Sequence, residues 1–169
     1  SAEQSIHETH VRIGDIQRGI ASGASSWVDA SCLRKKMNRL RGGDVLLSKS
    51  GTIGKAGIVR NGAIGGVASS GLAVLRCDPN EVLPSYLVAY LTSDACQLHL
   101  DSWASGATIR HLRRDSIEAL PIAIPAIQIQ ERVASEFRES GADAFIGIRA
   151  AVSAAGANPP REWLQETLA

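Results

Sequence analysis

The chain has no apolar run approaching the roughly 20 residues that a membrane-crossing helix requires. Its first residues, Ser1 to Glu8, carry neither the basic nor the apolar region of a secretory signal, so a cytoplasmic location is the expectation. Cysteine is scarce and odd in number: Cys32, Cys77 and Cys96 stand far apart, which argues against a disulfide framework. Catalytic signatures are missing as well. Gly51-Thr-Ile-Gly-Lys-Ala56 has too short a gap between its glycines for a phosphate-binding loop, and Ala56 stands where that loop needs a hydroxyl for magnesium. Asn158-Pro-Pro-Arg161 puts arginine where an amino-methyltransferase motif has an aromatic, and no glycine-rich cofactor loop lies upstream. Cys96 and His99 lack partners at zinc-finger spacing, and Cys96 falls on the apolar side of an expected helix, so burial is its expected role. His7 and His10 lie near an end expected to fray. No nuclease-like Asp…Glu-x-Lys set and no nucleophile with a plausible base is found, so neither an active site nor a cofactor is expected.

What remains is the composition of a globular domain, 44% hydrophobic and 21% charged, and long enough at 169 residues to bury one core. A net charge of +1 predicts no nucleic-acid partner, but its distribution is uneven. Between Arg34 and Arg60, eight basic residues (Arg34, Lys35, Lys36, Arg39, Arg41, Lys49, Lys55, Arg60) face one acidic residue, Asp44. Arg110, His111, Arg113 and Arg114 form a second cluster. From Pro121 onward the balance turns acidic, with four arginines against six carboxylates.

Strands are expected at Val11 to Ile16, Asp44 to Ser48, Ala56 to Val59 and Gly71 to Arg76. Gly19 to Ser26 reads as a loop, Gly42-Gly43 as a turn, and the glycine-rich stretch Ser48 to Gly57 as a loop or tight hairpin. Leu83 to Leu100 has helical spacing with Pro84 in its first turn. A basic segment, Ile109 to Leu120, closes on a short helix, and Leu120 to Pro125 is extended by its prolines. Beyond Pro125, apolar residues recur every three to four positions through Val133, Phe137, Ile148 and Ala155. One helix over 126–155 would be about 45 Å long, more than so small a domain can cover, so pairing with another helix as in a coiled coil is expected. Gly141 and Gly147 are points where it could break, and Asn158-Pro-Pro160 ends it, leaving a short amphipathic tail from Arg161 to Ala169.

Several of these pieces resemble, in order, the target-recognition domain of Type I restriction–modification specificity subunits. Leu40-Arg-Gly-Gly-Asp-Val-Leu-Leu-Ser-Lys-Ser-Gly-Thr-Ile-Gly-Lys55 is similar to that family's GD(I/V)L(I/L)S..G..G segment, and Val67 to Arg76 to the strand after it. Leu83-Pro-Ser-Tyr-Leu-Val-Ala-Tyr-Leu91 resembles its P.YL..YL helix, and Gly106 to Leu112 with Ile117 to Pro125 its G....L....L..L.IP.P passage. Gln130-Glu-Arg-Val133 resembles the start of its conserved helix.

The resemblance implies an α+β fold: a twisted mixed sheet with short helices as a recognition domain over 1–121, a long helix over 122–157 for dimerisation or for docking a methyltransferase subunit, and a tail over 158–169. It also implies two loops facing double-stranded DNA. In the first, Ser48, Lys49, Ser50, Thr52 and Lys55 would supply hydroxyls and ammonium groups, while Gly51 and Gly54 admit close phosphates; the alternative is a solvated hairpin. In the second, Arg110, His111, Arg113 and Arg114 are candidate base readers, since arginine can hold guanine O6 and N7 together; the alternative is a solvated helix face. Arg34, Lys35, Lys36 and Arg39, in the run to Arg41, would anchor phosphates, unless they are simply surface charge. Trp27 and Trp103 could touch a base or a partner, or pack beside the core. The expected function is sequence-specific DNA recognition by a non-catalytic specificity component. A full specificity subunit has two recognition domains and two long helices, against one of each here. A dimerising half-subunit and the recognition end of a fused adenine methyltransferase or restriction enzyme therefore stay open, as does a protein-interaction module acting through its helix.

Overall fold

The computed structural model describes residues 7–33, 39–140 and 164–168. Arg34, Lys35, Lys36, the helix expected beyond residue 140 and the Asn158-Pro-Pro160 stop lie outside the described residues. Strands β1 (His7–Val11), β2 (Ile16–Gln17), β3 (Ile20–Ala21), β4 (Ser26–Asp29), β5 (Val45–Ser48), β6 (Ala56–Val59), β7 (Val67–Ala68) and β8 (Leu72–Cys77) precede four helices. These are α1 (Pro84–Thr92), α2 (Asp94–Trp103), α3 (Arg114–Ala119) and α4 (Ile127–Ser140), followed by β9 (Leu164–Leu168). The fold is α+β as expected, but it has two mixed sheets where one was anticipated. The smaller runs β4-β1-β7 and the larger β2-β3-β6-β5-β8-β9; the β1–β7 and β3–β6 pairs are parallel, the others antiparallel.

The near-continuous apolar runs of β5 and β8 follow from burial on both faces. Side chains alternate along a strand, so Val45, Leu47, Ala73 and Leu75 enter a core shared with Leu87, Leu91, Leu100 and Val133 of the helices. Their neighbours Leu46, Leu72 and Val74 enter a second core with Val11, Ile16 and Ala68. At full burial each leucine contributes about 2 kcal/mol of transfer free energy.

Three expectations change. The strand at Val11 to Ile16 is broken, because its apolar alternation fails at Gly14-Asp15. There the Asp15 carboxylate accepts the Arg12 amide at 2.8 Å and the Ser25 amide at 2.9 Å, closing a single helical turn. The helix from Leu83 to Leu100 is two helices. Ser93 is extended between them (ψ 148°); its hydroxyl donates to the Tyr90 carbonyl at 2.6 Å and accepts the Cys96 amide at 3.4 Å, capping α2. The tail after Arg161 supplies β9, in register on β8 from Leu164 opposite Cys77 to Leu168 opposite Ala73.

The described part of α4 buries its apolar stripe on the domain itself: Val133 is fully buried and Phe137 packs against the helix-side core. Its entry is fixed by the buried Gln130. That side chain accepts the Leu83 amide at 2.9 Å and donates to the carbonyls of Glu81 at 2.9 Å and Pro125 at 2.8 Å. The motif glutamine is thus a clamp between α1 and α4.

Candidate nucleic-acid interface

The β5–β6 hairpin turns through residues 49–55. The Lys55 amide bonds the Ser48 hydroxyl at 2.8 Å and the Gly54 amide bonds the Ser48 carbonyl at 2.9 Å. Gly51 and Gly54 both have positive φ (73° and 87°), the left-handed region in which a side chain is strained. At Gly54 there is a second reason for glycine: a Cβ would lie 2.5 Å from the Gln97 side-chain oxygen. Gln97 donates to the carbonyls of Gly54 at 2.9 Å and Leu91 at 2.6 Å, fastening the hairpin to the α1–α2 break.

The loop after α2 returns on itself. Ser105 and His111 exchange both backbone hydrogen bonds, at 3.0 and 2.7 Å, around a turn in which Gly106 has φ 125°. The same segment pairs with the hairpin: the Gly51 amide bonds the Arg110 carbonyl at 2.9 Å and the Leu112 amide bonds the Lys49 carbonyl at 2.7 Å. Leu112 is fully buried and anchors this ladder to the core. The two loops singled out from the sequence therefore form one surface, with Thr52, Arg110 and His111 exposed and Lys49, Ser50 and Lys55 half-exposed.

Not every candidate is on it. Ser48 is fully buried with its hydroxyl engaged by Lys55, so it offers DNA no contact; its role is to close the hairpin. Arg39 precedes Val45, at the end of β5 opposite the hairpin turn. It holds Glu8 through two bonds of 2.7 Å, and this hydrogen bonding keeps the Glu8 carboxyl below its ordinary pKa. Arg60, which follows β6, is at that same end, so the basic run divides between the two ends of the sheet. Arg110 is held by the Asp101 carboxylate and carbonyl, Arg113 lies 3.6 Å from Asp115, and Arg114 pairs with Glu118 one turn along α3.

Among the described residues no group of His, Cys, Asp and Glu could hold a metal ion, and no helix is long and apolar enough to cross a membrane. Burial pushes the Cys96 thiol up to about 12, in keeping with a core role. Trp103 packs against the helix-side core with His99 beside it, ring centroids 5.6 Å apart, whereas Trp27 on β4 is 67% exposed. The sequence missed Gln97; a glutamine at a helix break carries no pattern of its own.

The same architecture occurs in solved components of type I restriction–modification systems. The crystal structure of the HsdS subunit from Thermoanaerobacter tengcongensis matches at TM-score 0.63 and 18% identity, covering 80% of this chain and 36% of that one. A chain from a structure addressing complex assembly and conformational transition of the type I R-M system matches at TM-score 0.59 and 18% identity, covering 78% of this chain and 35% of that one. The chain thus spans about a third of the length of either, and at such identity the likeness is one of fold. No curated protein sequence matches. The family model of the Type I restriction modification DNA specificity domain matches residues 10–142, most of the chain, and the chain belongs to that family.

Proposed function

We propose that the chain recognises a short sequence in double-stranded DNA as the non-catalytic specificity component of a Type I-like restriction–modification system. The observation that carries this is the backbone ladder joining residues 49–51 to 110–112, which fixes both candidate loops as one surface. Lys49 and Lys55 face no carboxylate among the described residues and supply phosphate contacts. Ser50, Thr52, Arg110, His111 and Arg113 supply base-edge contacts, Arg110 exchanging Asp101 for a guanine edge. Arg114 stands beside them, and the run Arg34, Lys35 and Lys36 adds phosphate anchoring. The recognition unit is residues 1–121. The segment 122–157, entering through α4, docks a methyltransferase subunit or a second copy of the chain.

The test is selection from a randomised duplex pool at several salt concentrations, with the bound fraction sequenced. Enrichment of a motif of a few base pairs, with affinity falling as salt rises, is the expected result. Absence of binding even at low salt would overturn the reading.

A further inference from the structure

A second surface lies at the end of β5 and β6 away from the DNA loops. Strands β2 and β3 are joined by two residues, Arg18 and Gly19, both at positive φ (49° and 77°). A two-residue hairpin needs this geometry, and its usual occupants are asparagine, aspartate and glycine. Arginine is strained there. Nothing in the fold explains the choice, since the Arg18 side chain is exposed and makes no hydrogen bond or ion pair with any described residue.

Arg18 lines a recess of about 70 Å³ with two further arginines from other elements, Arg60 after β6 and Arg138 on α4. Neither has a carboxylate partner among the described residues. The acidic residue nearest in sequence to Arg60 is Asp44, and it is buried against Arg76 at 2.7 Å. The floor of the recess is apolar. A Cβ on Gly19 would lie 3.2 Å from Val88 and 3.6 Å from Phe137, so the turn rests on these two side chains. Through Ile58, Arg60 and Ser85 the recess continues into a wider groove of about 340 Å³ past Pro84 and Ile64. Ile20 and Ile64, 40% and 52% exposed, border the two parts.

We propose that this groove docks an acidic protein segment, with a large apolar side chain against Ile20 and Phe137 and carboxylates on Arg18, Arg60 and Arg138. Charge complementarity selects the carboxylates: three guanidinium forks from three elements lack a counter-charge among the described residues, and that fork matches a carboxylate bidentately. The apolar floor selects a protein over a phosphate backbone, which has no apolar group with which to cover the two isoleucines. Because the DNA loops lie at the other end of the same strands, both surfaces can be occupied together.

The test uses the full chain against a displayed library of random peptides, without DNA. Enriched peptides are expected to carry aspartate or glutamate beside a large apolar residue. Arg18→Asn and Arg138→Gln should each weaken a selected peptide about tenfold, the size of one lost charge-assisted hydrogen bond. Arg18→Asn should leave thermal stability unchanged or raised, because asparagine suits the positive φ, so a loss of binding is not a loss of fold. Binding of the same variants to duplex DNA should keep its motif and salt dependence. Peptides without acidic enrichment, or peptides indifferent to both substitutions, would overturn the proposal. Uniformly weaker duplex binding with a shallower salt slope would make the arginines phosphate anchors instead. Dissociation of a self-associated chain by Arg18→Asn would give the groove to a second copy. DNA recognition is judged separately, by motif enrichment with the unaltered chain.

Discussion

At the hairpin end of the six-stranded sheet, Arg110, Arg113 and Arg114 each stand beside a carboxylate; at the opposite end, Arg18, Arg60 and Arg138 have none among the described residues. The pairs at the hairpin end are exposed, and such pairs contribute at most about 1 kcal/mol. They orient a guanidinium without committing it, so that exchange for a base edge or phosphate costs little. The unpaired set gains the whole of any incoming negative charge. Asp44, the only carboxylate in the basic run from Arg34 to Arg60, is 2% exposed, accepts the Arg41 amide at 2.8 Å and holds Arg76 through both its oxygens. With both oxygens engaged by Arg76 and the Arg41 amide, it pairs with no member of the unpaired set.

Removing that carboxylate is the largest expected break. Asp44→Ala strands the half-buried Arg76 and orphans the Arg41 amide, and should lower the free energy of unfolding by about 3 kcal/mol in a denaturant titration. A loss below about 0.5 kcal/mol, the level of an ordinary surface change, would show that Arg76 finds water and that Asp44 does not organise this end. Gly106→Ala strikes the other end. The added Cβ would lie 2.2 Å from the Ile109 carbonyl in a backbone at φ 125°, so the Ser105–His111 turn must open. Strain of about 1–3 kcal/mol is expected. The distinguishing readout is duplex selection: motif enrichment should vanish while salt-sensitive binding persists, with peptide binding at the arginine groove intact.

How far these ends could be foreseen depended on how local their causes are. The strands β5, β6 and β8 were legible because burial on both faces leaves an apolar run that only a strand of that length explains. The hairpin was legible from Gly51 and Gly54, and α1 from Pro84. The union of the two loops was not: it rests on backbone bonds between residues some sixty positions apart, which no side-chain pattern records. Ser48 looked available because a hydroxyl beside two glycines reads alike whether it faces solvent or its own hairpin. The ion pairs of the arginines were illegible for a related reason. A run of charge in sequence says nothing of which member meets Glu8 or Asp101, and Arg18 and Arg138 stood outside any run.

Smaller effects separate phosphate contact from base contact within the hairpin end. Arg110→Ala should cost about 1–3 kcal/mol of discrimination at one base pair of the selected motif and little elsewhere. Lys49→Ala and Lys55→Ala should weaken all duplexes alike, each flattening the plot of log affinity against log salt by about 0.9. An unchanged slope in both lysine variants would remove them from the interface and shift the phosphate contacts to the run before β5.

The smallest effect concerns neither end but the three-stranded sheet beside them. Burial depresses the pKa of His10 on β1, with the positive charge of Arg12 adding to it and Asp15 opposing. The folded chain then binds this proton less readily than the unfolded one, so stability is whole above the ordinary value of 6.5 and declines as pH falls below it. Asp15 gives a second, lower window. Burial pulls its pKa up, but hydrogen bonds from Ser25 and from the Arg12 amide outweigh it, so its contribution holds above 3.8 and is lost as pH drops through the lowered folded value. Thermal unfolding across this range should therefore show an upper decline from His10 and a lower one shared by Asp15 and the Glu8 carboxyl that Arg39 holds. His10→Gln should abolish the upper one alone, since glutamine takes no proton. If the upper decline persists in that variant, the proton binds elsewhere and the three-stranded sheet is not what acid first loosens.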